Sequence, residues 1–217
     1  MAARAVIFDC DGVLIDSELL ANQVEVEALS AIGATFTSEA YMARFMGLSD
    51  AASRALLADE FGLAPPELFW ERVRAHCYCL FARELRAMPG IEPLLSALRL
   101  PACVASSSSP ERLYFTLGLT DLLRFFPDRV FSSRQVLRGK PHPDLFQYAT
   151  TQLGVAPGEC VVVEDSPLGV QAAHAAGIRV IGFAGGSHMT AAGRRRLQEA
   201  GPETIVQSTA DLARLLE

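Results

Sequence analysis

Five short apolar runs constrain the fold of this 217-residue chain most: Ala5 to Phe8, Ala102 to Ala105, Arg129 to Phe131, Cys160 to Val163 and Arg179 to Phe183. Each has the length of a buried strand. Segments with helical apolar spacing separate the later ones, which is the pattern of a parallel sheet with helices on its faces. The starts and stops agree with it. Ser166-Pro167 offers a cap followed by proline at the first helical position, and Gly177 ends that helix; Pro143 to Gly154 and Pro110 to Gly118 bracket two more. The expected fold class is therefore α/β.

Residues 9–101, between the first and second runs, are far too many for a crossover loop and must hold an inserted unit. Leu19 to Ile32, Glu39 to Phe45, Asp50 to Phe61 and Glu67 to Leu85 carry helix-compatible spacing, with breaks at Gly33, Gly47 and Ala64-Pro65-Pro66. Met88-Pro89-Gly90 has the chemistry of a return hinge. The expected organisation is a helical cap of residues 17–87 on a core of residues 1–16 and 88–217. Trp70 and its aromatic neighbours are expected to pack within the cap.

Half of the residues are hydrophobic, enough for a sizeable core, and a net charge of -6 argues against nucleic acid or an anionic membrane as a partner. The triplet Arg194-Arg195-Arg196 reads as a solvated helix face. Five cysteines without a Cys-x-x-Cys pair fit reduced, mostly buried thiols. Asp9 and Asp11 interrupt the first apolar run before it could serve as a signal peptide, and no uninterrupted apolar stretch is long enough to span a bilayer. A soluble, cytoplasmic protein is expected, as a monomer or weak homodimer.

The chemistry gathers at the strand ends. Phe8-Asp9-Cys10-Asp11-Gly12 puts two carboxylates beyond the first strand, where open α/β sheets place ligands. Ser106-Ser107-Ser108-Ser109 offers hydroxyls and amides just before a helix, Lys140 a cation in a loop, and Glu164-Asp165 a second acid pair after Val161-Val162-Val163. Four carboxylates at one edge would repel by about 4 kcal/mol per close pair at an effective dielectric near 20, unless a cation sits among them. All-oxygen ligands suit Mg²⁺.

These motifs, in this order and over essentially the full length, resemble the haloacid dehalogenase superfamily, in its β-phosphoglucomutase-like branch with a helical cap after the first motif. The resemblance implies a Rossmann-like core. It implies Asp9 as the nucleophile that forms an aspartyl-phosphate, and Asp11 as the acid and base. Mg²⁺ would be held by Asp9, the Asp11 carbonyl and Asp165, with Glu164 binding directly or through water. Ser106 and Ser107 would bind phosphoryl oxygens, and Lys140 would neutralise charge on Asp9 and the phosphate. Asp11 argues against a dehalogenase, since a halide needs no acid to leave.

By the same resemblance, substrate contacts belong to the cap, at Met46-Gly47-Leu48-Ser49-Asp50 and at the cap mouth, where Gly47, Glu18 and Asn22 are candidate substrate partners. β-Phosphoglucomutases carry an arginine where Asp50 stands and a histidine where Ala21 or Asn22 stands. The expectation is a Mg²⁺-dependent phosphatase of a small phosphorylated metabolite, a sugar phosphate or sugar-acid phosphate, with a phosphosugar mutase as the alternative. Gly185-Gly186-Ser187-His188 reads as a flexible loop, and His188 shows no metal spacing.

Overall fold

A computed structural model describes residues 3–216. Six strands form one parallel sheet: β1 (Ala5–Phe8), β2 (Ala102–Ser106), β3 (Val130–Ser132), β4 (Cys160–Glu164), β5 (Arg179–Phe183) and β6 (Thr204–Val206). Their order is β3-β2-β1-β4-β5-β6. It reverses beside β1, and such a switch point opens a crevice at the carboxyl ends of the central strands. Five strands stand close to where the apolar runs place them. The sixth, β6, was not expected, because Thr204 is exposed, Ile205 half-buried and only Val206 buried, so no apolar run marks it.

Alternation along β1 divides the core. Val6 and Phe8 face one cluster with Val104, Leu113, Phe126 and Val163, while Ala5 and Ile7 face another with Cys103, Leu145, Phe146 and Val162. Four helices follow β1: α1 (Glu18–Ser30), α2 (Ser38–Phe45), α3 (Asp50–Phe61) and α4 (Glu67–Glu84). Helices α1 and α4 share the first cluster through Ala21, Val24, Val73, Cys77, Leu80 and Phe81. The remainder of the cap has its own cluster, in which Tyr41 stacks on Phe45 and the Phe36 edge meets both.

The chain enters and leaves the cap side by side. Ile15 bridges Ala87 in antiparallel fashion, Asp16 N donates to the Arg86 carbonyl at 3.0 Å, and Met88 N donates to the Leu14 carbonyl at 2.8 Å. The remaining helices flank the sheet: α5 (Ile91–Ala97), α6 (Pro110–Leu119), α7 (Asp144–Leu153), α8 (Pro167–Ala175), α9 (Ala191–Glu199) and α10 (Thr209–Leu216). Ser109 and Ser166 cap α6 and α8 and left-handed Gly154 ends α7, as the sequence signals suggest, whereas Gly118 does not stop α6, which runs on to Leu119. Arg194, Arg195 and Arg196 lie on α9, partly or fully exposed. Among the described residues, all five cysteines are free thiols and no helix is long and apolar enough to cross a membrane.

Candidate active site

The ends of β1, β2 and β4 meet the cap across one cavity, lined on the sheet side by Asp9, Asp11, Ser106, Ser107 and Lys140 and on the cap side by Glu18, Asn22, Glu25 and Gly47. Asp9 continues β1 by donating its N–H to the Val163 carbonyl at 3.0 Å, which fixes its side chain beside β4. Lys140 Nζ donates to Asp9 Oδ1 at 2.9 Å and to Glu164 Oε1 at 2.6 Å, all three groups being buried. Burial works against the ammonium charge, but Asp9 and Glu164 raise the Lys140 pKa above its ordinary value. Glu164 is held from its other oxygen by the Ser166 N–H and hydroxyl, both at 3.0 Å. No side chain fits at Gly169, because a Cβ there would overlap the Glu164 carboxylate.

Asp11 is held differently. Its Oδ1 accepts from Ser17 Oγ at 2.5 Å and Arg112 Nη2 at 2.8 Å, and its Oδ2 accepts from Ser108 Oγ at 2.7 Å. Burial alone would raise its pKa; Arg112 and the two hydroxyls outweigh it and hold the carboxyl below its usual range. Arg112 comes from the first turn of α6 and lies over the Phe81 ring, its carbon 5.1 Å from the centroid. Sequence reasoning missed Arg112, Ser17 and Ser108. The serine run was the available signal, since Ser109 caps α6 and so turns the third residue beyond it, Arg112, back toward β1.

A cation site is supported by the donors themselves. One ligand oxygen each from Asp9, Glu164 and Asp165 lies within 4.8 Å of the others, and all three residues are buried. Burial raises the Asp9 pKa well above the carboxylate range; Lys140 opposes this, and Glu164 and Asp165 add to it. Asp165 is raised too, by burial first. Ionised carboxylates crowded in this way call for a positive charge beyond Lys140, and hard oxygen donors of this number suit Mg²⁺.

The neighbouring loop departs from expectation. His188 is buried, at 4% exposure, and its Nε2 lies 3.0 Å from Asp165 Oδ2. Burial lowers its pKa, but Asp165, then Glu18 and Asp16, raise it to about 9.

On the cap side, Ser107 Oγ donates to the Gly47 carbonyl at 3.0 Å, tying cap to core, and Gly47 adopts a left-handed conformation at φ 82° against Ser166. Glu18 is half-buried, and burial, followed by Asp11 and Asp165, raises its pKa to about 8. Asn22 lines the cavity, but its amide donates to the Ser38 carbonyl at 3.2 Å and its oxygen accepts from the Ser38 hydroxyl. Asp50 lies on the same wall within 3.5 Å of Arg134, and Arg54, Arg74 and Arg112 line the cavity as well. Arg54 and Arg74 stand on the cap wall, each paired with Glu67, while Arg112 belongs to the core helix α6 and is paired with Asp11. Trp70 packs against the cap cluster and also borders the cavity, with Arg54 5.0 Å above its ring.

Known proteins resemble this chain in sequence and in fold. The family model for haloacid dehalogenase-like hydrolases matches residues 3–177. The chain is similar to the 6-phosphogluconate phosphatase of Escherichia coli, at 34% identity over 85% of this chain and 84% of the relative. It is also similar to the phosphorylated carbohydrates phosphatase of Thermotoga maritima, at 32% identity over 82% and 83%. A haloacid dehalogenase-like protein from Agrobacterium tumefaciens superposes with a TM-score of 0.86 at 34% identity, covering 99% of this chain and 98% of the other. A family hydrolase from Deinococcus radiodurans, solved with bound phosphate and sodium, does so at 0.76 and 32% identity, over 98% and 97%. With the family model matched over residues 3–177 and these relatives covered over most of their length, the chain belongs to the haloacid dehalogenase-like hydrolases.

Proposed function

We propose that the chain is a Mg²⁺-dependent phosphatase of small phosphorylated metabolites, working through an aspartyl-phosphate on Asp9. The observation that carries the reading is the Lys140 bridge between Asp9 and Glu164, with Asp165 close enough to complete a cation site. Asp9, Glu164 and Asp165 would hold Mg²⁺, together with the Asp11 carbonyl. Bound there, the ion supplies positive charge that lets an anionic nucleophile approach an anionic phosphate.

In the first step an Asp9 oxygen bonds to phosphorus, the phosphorus–oxygen ester bond breaks, and the departing alcohol takes a proton from Asp11. In the second, water bonds to phosphorus, the Asp9 oxygen leaves, and Asp11 takes the water's proton. Ser106 and Ser107 line the cavity, where the Ser106 hydroxyl and the Ser107 amide would donate hydrogen bonds to the phosphoryl oxygens and Lys140 would balance their charge. The Arg112 contact favours anionic Asp11, the form needed for the second step.

The cavity lining supports a substrate class. Arg54, Arg74 and Arg112 face the cavity, while Glu18 and Asn22 offer oxygen and amide groups to hydroxyls. Guanidinium groups bind carboxylates through paired hydrogen bonds, and a phosphorylated sugar acid would engage them by sharing or exchanging the contacts that Arg54 and Arg74 make with Glu67 and Arg112 makes with Asp11. The relatives named for 6-phosphogluconate and phosphorylated carbohydrates support the same range. Phosphate release from 6-phosphogluconate, hexose 6-phosphates and hexitol phosphates tests this. The sugar acid should have the highest kcat/KM, and Arg112→Met should cost it at least about tenfold more than the hexitol phosphates, the order expected for a lost charge-assisted bond. Interconversion of β-glucose 1-phosphate and glucose 6-phosphate faster than phosphate release would overturn the phosphatase reading in favour of the mutase.

A further inference from the structure

The loop after β5 reaches the acid cluster at the end of β4. His188 is buried against Asp165, and two glycines leave room for it. A Cβ at Gly12 would lie 2.8 Å from His188 Cε1 and would overlap Asp165 Oδ2; one at Gly186 would lie 2.5 Å from Cε1 and 2.6 Å from Nδ1. Neither ring nitrogen has a well-aligned hydrogen bond, so the 3.0 Å contact with Asp165 Oδ2 is the polar contact this imidazole makes. The preceding residue anchors the loop. Ser187 donates its N–H at 3.1 Å and its hydroxyl at 2.8 Å to Asp16 Oδ1, and Asp16 is the linker residue whose own N–H pairs with Arg86 across the cap entrance.

We propose that His188 is a positioning residue for the cation site: it fixes the Asp165 carboxylate through Oδ2, and Asp16 holds it there through Ser187. The inference rests on the Mg²⁺ reading above. It assigns work to a loop that the hydrolytic steps leave unused. A carboxylate that can rotate binds a small, geometrically strict ion less well than one held by a neighbouring group, and partners that orient ligands commonly contribute about 10- to 100-fold in metal affinity. The anchor on Asp16 also joins the cation site to the linker between core and cap, so displacement of that linker would disturb the imidazole's support.

The test is a titration with Mn²⁺, followed by its electron paramagnetic resonance signal, on the full chain without substrate. His188→Ala should weaken Mn²⁺ binding by about tenfold or more, while His188→Gln, whose amide can still donate toward Asp165, should stay within about threefold of wild type. Asp16→Ala should weaken it in the same direction by less. Equal affinities for wild type and both His188 variants would overturn the inference and leave the cation reading standing. A glutamine variant as weak as the alanine variant would also overturn it. A wild-type chain that binds no Mn²⁺ or Mg²⁺ would overturn both. Should His188→Ala melt below the assay temperature, Asp16→Ala decides, and wild-type affinity in that variant overturns the inference.

Discussion

On the sheet wall of the cavity, Asp9 is bonded to Lys140 and Asp11 to Arg112, Ser17 and Ser108, with the fully buried Glu164 bonded to Lys140 and Ser166 beside them. On the cap wall, burial raises the pKa values of Glu18 and Glu25, and Arg112 only partly offsets this for Glu25. Burial raises Asp9 and Asp165 on the sheet side as well, so what separates the two walls is the number of hydrogen-bond partners their acids have. Fully partnered groups hold one geometry, as a reaction centre requires, because each alternative arrangement forfeits charge-assisted hydrogen bonds. Desolvated acids with few partners are costly alone, and a polyhydroxylated substrate can supply the bonds they lack.

The most severe way to break the comparison is Asp9→Asn. Loss of the nucleophile should reduce turnover by about 10⁴-fold or more. The melting temperature should hold or rise, since burial and the neighbouring acids penalise the charge being removed. Steady-state phosphate release and a thermal melt on the same sample check both halves. A drop in stability with retained turnover would put the reactive group elsewhere on the sheet wall.

A packing change in the cap should separate the walls in the other direction. Leu57 is fully buried in the α2–α3 cluster, away from the sheet. Leu57→Ala should cost about 2–5 kcal/mol of stability by leaving a cavity, measured by denaturant unfolding. Cation affinity should remain that of wild type, because Asp9, Glu164 and Asp165 all stand on the sheet side. Joint loss of both would show that the cap cluster supports the cation site directly.

The smallest effect concerns Glu18. Its folded pKa of about 8 lies above the ordinary value of 4.5, so between those values the folded chain keeps a proton that the unfolded chain has lost. The stability this group contributes is therefore fully present below about pH 4.5 and is lost as pH rises through 8. Glu18→Gln should flatten the fall in melting temperature across that window in cation-free buffer. An unchanged slope would mean that the cap wall does not hold the Glu18 proton.

What was legible in the sequence follows the same division. The strands β1, β2, β4 and β5 are continuous apolar runs because helices or cap cover both faces, and Asp9, Ser106 and Glu164 are legible because each stands at the end of such a run. The edge strand β6 has one buried residue in three and carries no such signature. Arg112 and His188 were not legible as site residues, since each reaches its partner through a tertiary contact: Arg112 across to Asp11 and His188 across to Asp165. A histidine between Gly-Gly-Ser and a methionine has the local chemistry of a loop, and only the packing of Gly12 and Gly186 around it reveals a buried group.

The antiparallel pairing of Leu14–Asp16 with residues 86–88 has a consequence for how such enzymes diversify. Because the inserted segment begins and ends at neighbouring backbone positions, its length is nearly invisible to the sheet. Doubling a flexible closed segment adds only about 0.6 kcal/mol of closure entropy. A foreign cap grafted between residues 17 and 86 would thus meet the same two anchor points and keep the Ser17 bond to Asp11, provided that it rebuilt the apolar faces that α1 and α4 pack on the core. The doorway is also a splice site: what hydrolyses can stay constant while what is admitted is exchanged.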